Sequence, residues 1–159
     1  MEKKAKETLL QKIPYGVFVI GVKNGKEISG FTASWVQQIS FDPPMIAVSV
    51  KAVSKTFLDM LKTEKAFSVN FLSTKQKKIA EKFFNSPEVE GDYISGLPYV
   101  AGKTGVPVLE HAQGHLECIV EGNAHPGDHV IFFGKIVHAH LETDFDILTL
   151  DNTAWNYRG

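Results

Sequence analysis

Residues 30–56, GFTASWVQQISFDPPMIAVSVKAVSKT, decide how this chain is expected to fold. The small side chains of Thr32–Ser34 leave backbone N–H groups uncovered, so a flat ring can approach them closely. Pro43 and Pro44 then interrupt the chain, because proline lacks an N–H group and restricts the residue before it. Met45–Val50 follows as a mostly apolar strand suited to the centre of a sheet. The stretch therefore predicts two close strands whose ends form a groove.

The end of the second strand is a candidate phosphate site. Ser54, Lys55 and Thr56 follow that strand, and Ser54 is a candidate N-cap for a helix from Lys55 to about Lys62. Hydroxyl groups, an ammonium group and free N–H groups at a helix start suit a phosphate. Because most lysines are simply solvated, the two hydroxyls are favoured over Lys51 and Lys55 as ligands.

The rest of the chain is predicted to be mainly β. Asn24-Gly25 is a strong hairpin signal, whereas Glu88–Gly105 has no clean period and predicts a long surface excursion. Alternation within Ala66–Phe71 predicts a strand with one apolar face. Several antiparallel strands with short helices favour a closed β-barrel. The other predicted elements are helices over Glu2–Gln11 and Lys75–Phe84 and strands over His115–Glu121 and His129–Leu141.

Composition bounds the class of protein. A chain of 159 residues can bury the core of one domain, and a net charge of −1 gives no reason to expect nucleic acid or a membrane as partner. The apolar run Tyr15–Val22 is too short to span a bilayer, and residues 1–13 lack the apolar core of a signal peptide. The single cysteine, Cys118, cannot form an internal disulfide. A cytoplasmic protein is expected.

Four motifs occur together in a recognisable order. The first is T-A-S-x-x-x-x-x-S-x-x-P-P-x-x-x-x-x-V, matched from Thr32 to Val50, and it is followed by FSVNFL (67–72), IAEKF (79–83) and GDHVIFFGKIV (127–137). In these motifs the chain resembles the flavin reductase-like family. The resemblance implies one domain over residues 1–159, folded as an FMN-binding split β-barrel of Greek-key type.

The resemblance also implies roles for individual residues. In that family the T-A-S segment hydrogen-bonds the edge of the isoalloxazine ring, and the following strand end holds the phosphate. His129 is implicated in positioning the nicotinamide of the second substrate. The residues alone do not distinguish a flavin site from a strand end whose polar groups are satisfied by local hydrogen bonds. The implied cofactor-binding residues are Thr32, Ala33, Ser34, Trp35, Ser49, Val50, Lys51, Ser54, Lys55, Thr56 and Asn70.

Metal and nucleophilic chemistry are not expected from the spacing of the residues. His111 and His115 are four residues apart and His138 and His140 are two apart, but no carboxylate follows at a ligand-like spacing. Cys118 lies in a predicted strand and is expected to be buried packing. The sequence therefore predicts no metal site and no thiol nucleophile.

The activity implied by the resemblance is that of an NAD(P)H-dependent flavin reductase. FMN is the expected cofactor, with FAD as the alternative, and NAD(P)H is the co-substrate. Electrons would pass on to a downstream acceptor, such as free flavin or a redox partner protein. A homodimer is expected, with Glu88–Gly105 and the tail around Trp155 and Tyr157 as the segments that cross over.

Two other hypotheses about the function remain open. The tail, LTLDNTAWNYRG, departs from the expected tail of a dedicated reductase, which favours a flavin-carrying electron-transfer module reduced by a protein donor. A split barrel that binds haem or no cofactor is the third reading, and His115 or His138 would then matter more.

Overall fold

The computed structural model of the chain describes residues 2–158, which form three α-helices, one short 3₁₀-helix and eleven strands. The prediction of a mainly β fold with short helices is confirmed. The helices are α1 (Lys3–Lys12), α2 (Lys55–Glu64), α3 (Lys77–Glu81) and the 3₁₀-helix Leu150–Asn152. The strands are β1 (Phe18–Asn24), β2 (Glu27–Ala33), β3 (Val36–Ser40), β4 (Met45–Lys51), β5 (Ala66–Phe71), β6 (Val89–Glu90), β7 (Tyr93–Ile94), β8 (Leu97–Ala101), β9 (Pro107–Leu109), β10 (Gly114–Ala124) and β11 (His129–Leu141).

One seven-stranded sheet forms the body of the fold. Its strand order is β2-β1-β5-β10-β11-β4-β3, so β2 and β3 are the two edges. These edge strands are joined by only Ser34 and Trp35, which forces the sheet to curl until its edges approach each other at that connection. Within residues 2–158 no strand ladder joins β2 to β3, so the predicted closed barrel is corrected to a curled sheet that stays open along one seam.

Strand β1 separates two hydrophobic cores. Phe18, Ile20 and Val22 pack into the first core with α2, whereas Val17 and Val19 pack into the second. This alternation explains the continuous apolar run, because both faces of a central strand are covered. The hairpin at Asn24-Gly25 forms as predicted, with Gly25 at φ 57°, a conformation that glycine adopts without steric cost.

The segment 88–105 differs from its prediction. Instead of an irregular excursion, half of it forms the antiparallel strands β6, β7 and β8, which continue into β9 as a four-stranded sheet. Ile94 and Leu97 are buried in the second core. The strands are short and interrupted by turns, so the sequence shows no regular alternation of apolar and polar residues in this segment.

Strand β5 forms over Ala66–Phe71 as predicted, and its polar face is buried as well as its apolar face. Ser68 and Asn70 alternate with the apolar residues of β5, and strand β9 covers them. The Ser68 hydroxyl donates to the carbonyl of Pro107 at 2.6 Å, and the Leu109 N–H donates to Asn70 Oδ1 at 2.9 Å. Polar side chains are tolerated here because their hydrogen bonds are satisfied.

Two smaller predictions concern Cys118 and the membrane. Cys118 is fully buried, and burial raises the pKa of its thiol to about 12, which confirms a packing role. Among residues 2–158, no helix has the length and apolar character needed to cross a membrane.

Candidate functional site

A cavity of about 610 Å³ opens at the seam between the two edges of the large sheet. This volume lies within the range of small-molecule sites, roughly 300–1,000 Å³. The residues that line it are Val17, Phe31, Thr32, Ala33, Ser34, Trp35, Ser49, Val50, Lys51, Ser54, Phe57, Phe83, Phe84, Asn85, Ser86, Leu150, Trp155, Asn156 and Tyr157.

The connection between the edge strands forms one wall of the cavity. The Thr32 hydroxyl donates to the carbonyl of Ala80 at 2.6 Å, and the Thr32 N–H donates to the carbonyl of Phe83 at 3.3 Å. These bonds tether the turn after α3 to β2, which brings Phe83 and Phe84 to the cavity. Thr32, Ala33, Ser34 and Trp35 all line the cavity, as the T-A-S pattern predicts.

The end of β4 and the start of α2 form the second wall. Ser49, Val50, Lys51 and Ser54 line the cavity, and the Ser49 N–H donates to the carbonyl of Trp35 at 3.1 Å. That bond joins the two walls directly. Ser54 precedes α2 as predicted, but within the described chain its side chain makes no capping hydrogen bond. Its hydroxyl is therefore available to a ligand.

Three predicted ligand residues lie elsewhere. Lys55 and Thr56 are exposed on the first turn of α2 and lie outside the cavity lining. Asn70 is fully buried, and its amide nitrogen donates to the carbonyl of Val19 at 3.0 Å and to the Ser68 hydroxyl at 3.1 Å. Lys55 and Thr56 were predicted as ligands because they directly follow Ser54 in the sequence. On the helix their side chains face away from the cavity. Asn70 is a structural residue of the polar layer over β5.

His129 lies behind the cavity wall and not in its lining. Its ring is 8% exposed, and it stacks at 4.5 Å on the ring of Trp35, which does line the cavity. His129 Nδ1 lies 2.7 Å from Asp128 Oδ1, and Nε2 lies 2.9 Å from the Tyr157 hydroxyl. Because a carboxylate can only accept, Nδ1 carries a proton in this hydrogen bond. When Nε2 carries none, it accepts from the Tyr157 hydroxyl.

The charges around His129 follow from these contacts. The hydrogen bond from His129 and its positive charge when protonated hold the pKa of Asp128 below its ordinary value. Burial raises the pKa of the Tyr157 hydroxyl, and the nearby Asp128 carboxylate adds to that shift. Tyr157 is therefore protonated at neutral pH and can donate to His129.

The C-terminal tail supplies a wall that sequence reasoning did not assign. Trp155, Asn156 and Tyr157 line the cavity of their own chain, whereas the tail was predicted to cross to a second subunit. The Trp35 indole N–H donates to the carbonyl of Tyr157 at 3.2 Å, and Lys51 Nζ lies 4.9 Å from the centre of the Tyr157 ring. Two large aromatics in a polar tail were the available signal, since such residues need a surface on which to pack.

A second group of titratable side chains lies on β10 and β11. Ligand atoms of His115, Glu117 and His138 lie within 4.8 Å of one another. Burial lowers the pKa of His115, and His140 and His138 add to that shift, while Glu117 opposes it. Burial would raise the pKa of Glu117, but hydrogen bonds from Thr104 and Lys103 hold it below its ordinary value. Spacing along the chain does not reveal this group, because its members are neighbours across two adjacent strands.

Comparisons with known proteins bear on the family of this chain. The family model described as "Flavin reductase like domain" matches residues 10–156. An NADH-dependent FAD reductase of Streptomyces globisporus is 34% identical over 130 residues, which are 79% of this chain and 69% of that protein. An NADH-dependent FMN reductase of Streptomyces nodosus subsp. asukaensis is 30% identical over 129 residues, which are 80% of this chain and 69% of that protein.

A solved structure supports the same assignment. The NADH:FAD oxidoreductase of Streptomyces globisporus, in complex with NAD and FAD fragments, matches with a TM-score of 0.72 at 27% identity, over 87% of this chain and 81% of that chain. The family match spans nearly the whole described chain and includes both walls of the cavity. The chain therefore belongs to the flavin reductase-like family.

Proposed function

We propose that this chain is an NAD(P)H-dependent flavin reductase that binds a flavin in the seam cavity and passes its electrons to a downstream acceptor. The observation that carries the proposal is the joining of two walls, residues 32–35 and 49–54, around one cavity of about 610 Å³. The family and the relatives described above support the same activity.

The lining of the cavity fits a flavin. Apolar and aromatic side chains such as Phe31, Phe57 and Trp155 can cover a flat ring system, while the hydroxyls of Ser34 and Ser49 in the lining offer polar groups at its edge. When bound, the flavin would supply the redox chemistry by accepting a hydride from NAD(P)H. The protein's own part is to bind and orient the reactants and to exclude water.

FMN is the proposed flavin, and the second wall offers groups that can hold its phosphate. Ser54 offers a free hydroxyl directly before α2, and Lys51 offers an ammonium group at the end of β4. Hydrogen bonds between such groups and a phosphate are charge-assisted and strong. The positive end of the ten-residue helix α2 adds a favourable field for an anion.

His129 is proposed as a positioning residue for the nicotinamide. It does not line the cavity, so it acts through the two aromatic residues that it contacts, Trp35 and Tyr157. Asp128 fixes the orientation of the imidazole ring, and the ring in turn fixes the Tyr157 hydroxyl. A rigid aromatic wall restricts where a second flat ring can lie beside the flavin.

The split-barrel architecture and a homodimer are also proposed. The curled sheet with an open seam supports the split-barrel architecture.

The homodimer is supported by exposed apolar surface. Ile39 on the edge strand β3 is 46% exposed and Phe41 just beyond it is 91% exposed, which leaves apolar surface for a second copy. Light scattering of the purified protein would measure the mass, and a monomer at all concentrations would contradict the dimer.

The test of function begins with the cofactor. The purified protein is denatured with acid, and any released flavin is identified by chromatography. The flavin-loaded protein is then mixed with NADH or NADPH without oxygen, and loss of the visible flavin absorbance is followed. Rapid bleaching by either nucleotide is expected. If neither nucleotide bleaches a flavin that dithionite reduces, the chain is a flavin carrier and not a reductase. If no flavin binds, both the reductase and the carrier hypotheses are wrong.

A further inference from the structure

The histidine group on β10 and β11 is assembled by strand register. In the antiparallel pair, His115 lies opposite His140 and Glu117 lies opposite His138. Residues directly opposite each other, and residues two apart on one strand, share a face of the sheet. Three imidazoles and one carboxylate therefore lie together on one face. The ring centres of His115 and His138 are 5.7 Å apart, and those of His115 and His140 are 5.6 Å apart.

The carboxylate in this group is unusually well fixed. Glu117 is 1% exposed, and its two oxygens accept hydrogen bonds from the N–H groups of Lys103 and Thr104, at 3.0 and 2.7 Å, and from the Thr104 hydroxyl at 2.7 Å. These bonds hold the carboxylate charged and oriented toward the histidines. Glu117 Oε1 accepts only one of the three bonds and lies 3.6 Å from His115 Nε2. That oxygen retains a lone pair for another partner.

The spacing of these atoms approaches that of a tetrahedral metal site. Zinc binds imidazole nitrogen and carboxylate oxygen at about 2.0–2.2 Å, which sets neighbouring ligand atoms at about 3.4 Å. The three atoms of His115, Glu117 and His138 already lie within 4.8 Å of one another, so small side-chain rotations bring them to that spacing. Hydrogen bonds that orient a ligating carboxylate are the usual outer support of such a site.

We propose that His115, Glu117 and His138 bind one Zn²⁺ ion, with the fourth position left to solvent or to His140. Two imidazoles and one carboxylate suit a borderline metal such as zinc, whereas Ca²⁺ and Mg²⁺ prefer oxygen ligands throughout. His138 is nine residues along β11 from His129, roughly 30 Å of extended strand. The ion therefore lies far from the flavin cavity, and its role is to fasten β10, β11 and the loop at Lys103–Thr104.

The test measures zinc binding and not flavin reduction, so its outcome is independent of the proposed function. Metal-free protein is titrated with ZnCl₂ in competition with a chelator, and the stoichiometry and affinity are compared with those of His115→Gln and His138→Gln. His111→Gln and His125→Gln are matched controls, because both histidines are exposed and neither belongs to the group. One zinc ion per chain is expected, with an affinity at least about tenfold lower in each ligand variant and unchanged in the controls.

Thermal unfolding provides a second readout, because a metal that binds only the folded state raises the melting temperature. Zinc should raise the melting temperature of the native chain and of His125→Gln, but not that of His138→Gln. The proposal is overturned if the native chain takes up no zinc under competition, or if His115→Gln and His138→Gln bind zinc as tightly as the native chain.

Discussion

Strand β11 carries histidines at both ends, and the two ends have different surroundings. His129 at its start is held between Asp128, Tyr157 and the ring of Trp35, all of which come from the loop, the tail or the opposite sheet edge. His138 near its end faces Glu117 on the neighbouring strand. The first histidine stiffens a cavity wall, whereas the second belongs to a polar cluster within the sheet.

The difference shows that the role of a histidine depends on which kind of neighbour it acquires. Cross-strand neighbours are fixed by the hydrogen-bond ladder, so the cluster at the far end is preformed and rigid. One neighbour of His129, Tyr157, lies in a tail without regular secondary structure beyond its 3₁₀ turn. We therefore expect changes at the cluster to affect stability most, and changes at the cavity to affect ligand affinity most.

Replacing the buried carboxylate should have the largest effect. Glu117→Ala removes the acceptor of three hydrogen bonds and leaves the N–H groups of Lys103 and Thr104 unpaired. Lys103 is exposed and Thr104 is half-buried, so water can replace part of what these bonds contribute. A hydrogen bond to a charged group contributes about 1.5–3 kcal/mol, so the loss of the three bonds together should lower the free energy of unfolding by about 3 kcal/mol. Urea unfolding measures this change. Glu121→Ala, an exposed position on the same strand, should change it little, and equal losses in both variants would show that the bonds to Glu117 contribute nothing specific.

At the cavity, Ser54→Ala should weaken flavin binding by about 10- to 100-fold, because a hydrogen bond to a charged group contributes about 1.5–3 kcal/mol. Fluorescence titration with FMN measures the affinity. Thr56→Ala is the matched control, since Thr56 is exposed and outside the lining. A larger loss in Thr56→Ala than in Ser54→Ala would mean that the phosphate lies on the other side of the helix start.

Tyr157→Phe tests the link between the tail and His129. The ring and its contact with Lys51 remain, but the hydroxyl that lies 2.9 Å from His129 Nε2 is lost. A neutral hydrogen bond contributes about 0.5–1.5 kcal/mol, so the KM for NADH should rise by about 2- to 10-fold while flavin affinity changes less.

Tyr99→Phe is the control for that variant, because it removes a similar bond, to the carbonyl of Gly91 at 3.1 Å, in the small sheet. Its steady-state kinetics should match those of the native chain. If both tyrosine variants alter the KM equally, the effect comes from general loosening and not from His129.

The smallest expected effect is a pH dependence at the far cluster. Burial lowers the pKa of His115, so the unfolded state binds a proton more readily than the folded state below the ordinary histidine value of about 6.5. The metal-free chain should therefore lose stability relative to His115→Gln as the pH falls through about 6.5. Urea unfolding in the presence of a chelator at pH 8 and pH 5.5 measures this difference. A difference that is the same at both pH values would contradict the lowered pKa.

The sequence was most informative where function depends on local structure. Thr32–Trp35 and the end of β4 lie in consecutive short segments, and both line the cavity as predicted. Local patterns were less informative where the position of a residue depends on orientation or on long-range pairing. Thr56 is two residues from Ser54 but faces solvent, because a helix rotates each residue by a fixed angle.

Long-range pairing explains the remaining differences. Asn70 has a polar side chain in a motif shared with the family, yet its partners are Val19 and Leu109, which no local pattern connects to it. Glu117 and His138 are likewise neighbours only through the register of β10 and β11. The single signal for the tail was its aromatic content, which indicated a contact but not its location.

The two-residue connection between β2 and β3 has a consequence for the motions of the protein. A molecule seated between Ser34 and the end of β4 contacts the edge strand β2 and the strand β4, which lies next to the other edge, and so links the two sides of the seam. Amide hydrogens of β2, β3 and β4 should exchange with solvent more slowly once flavin is bound, whereas those in the far half of β10 and β11 should exchange at the same rate with and without it.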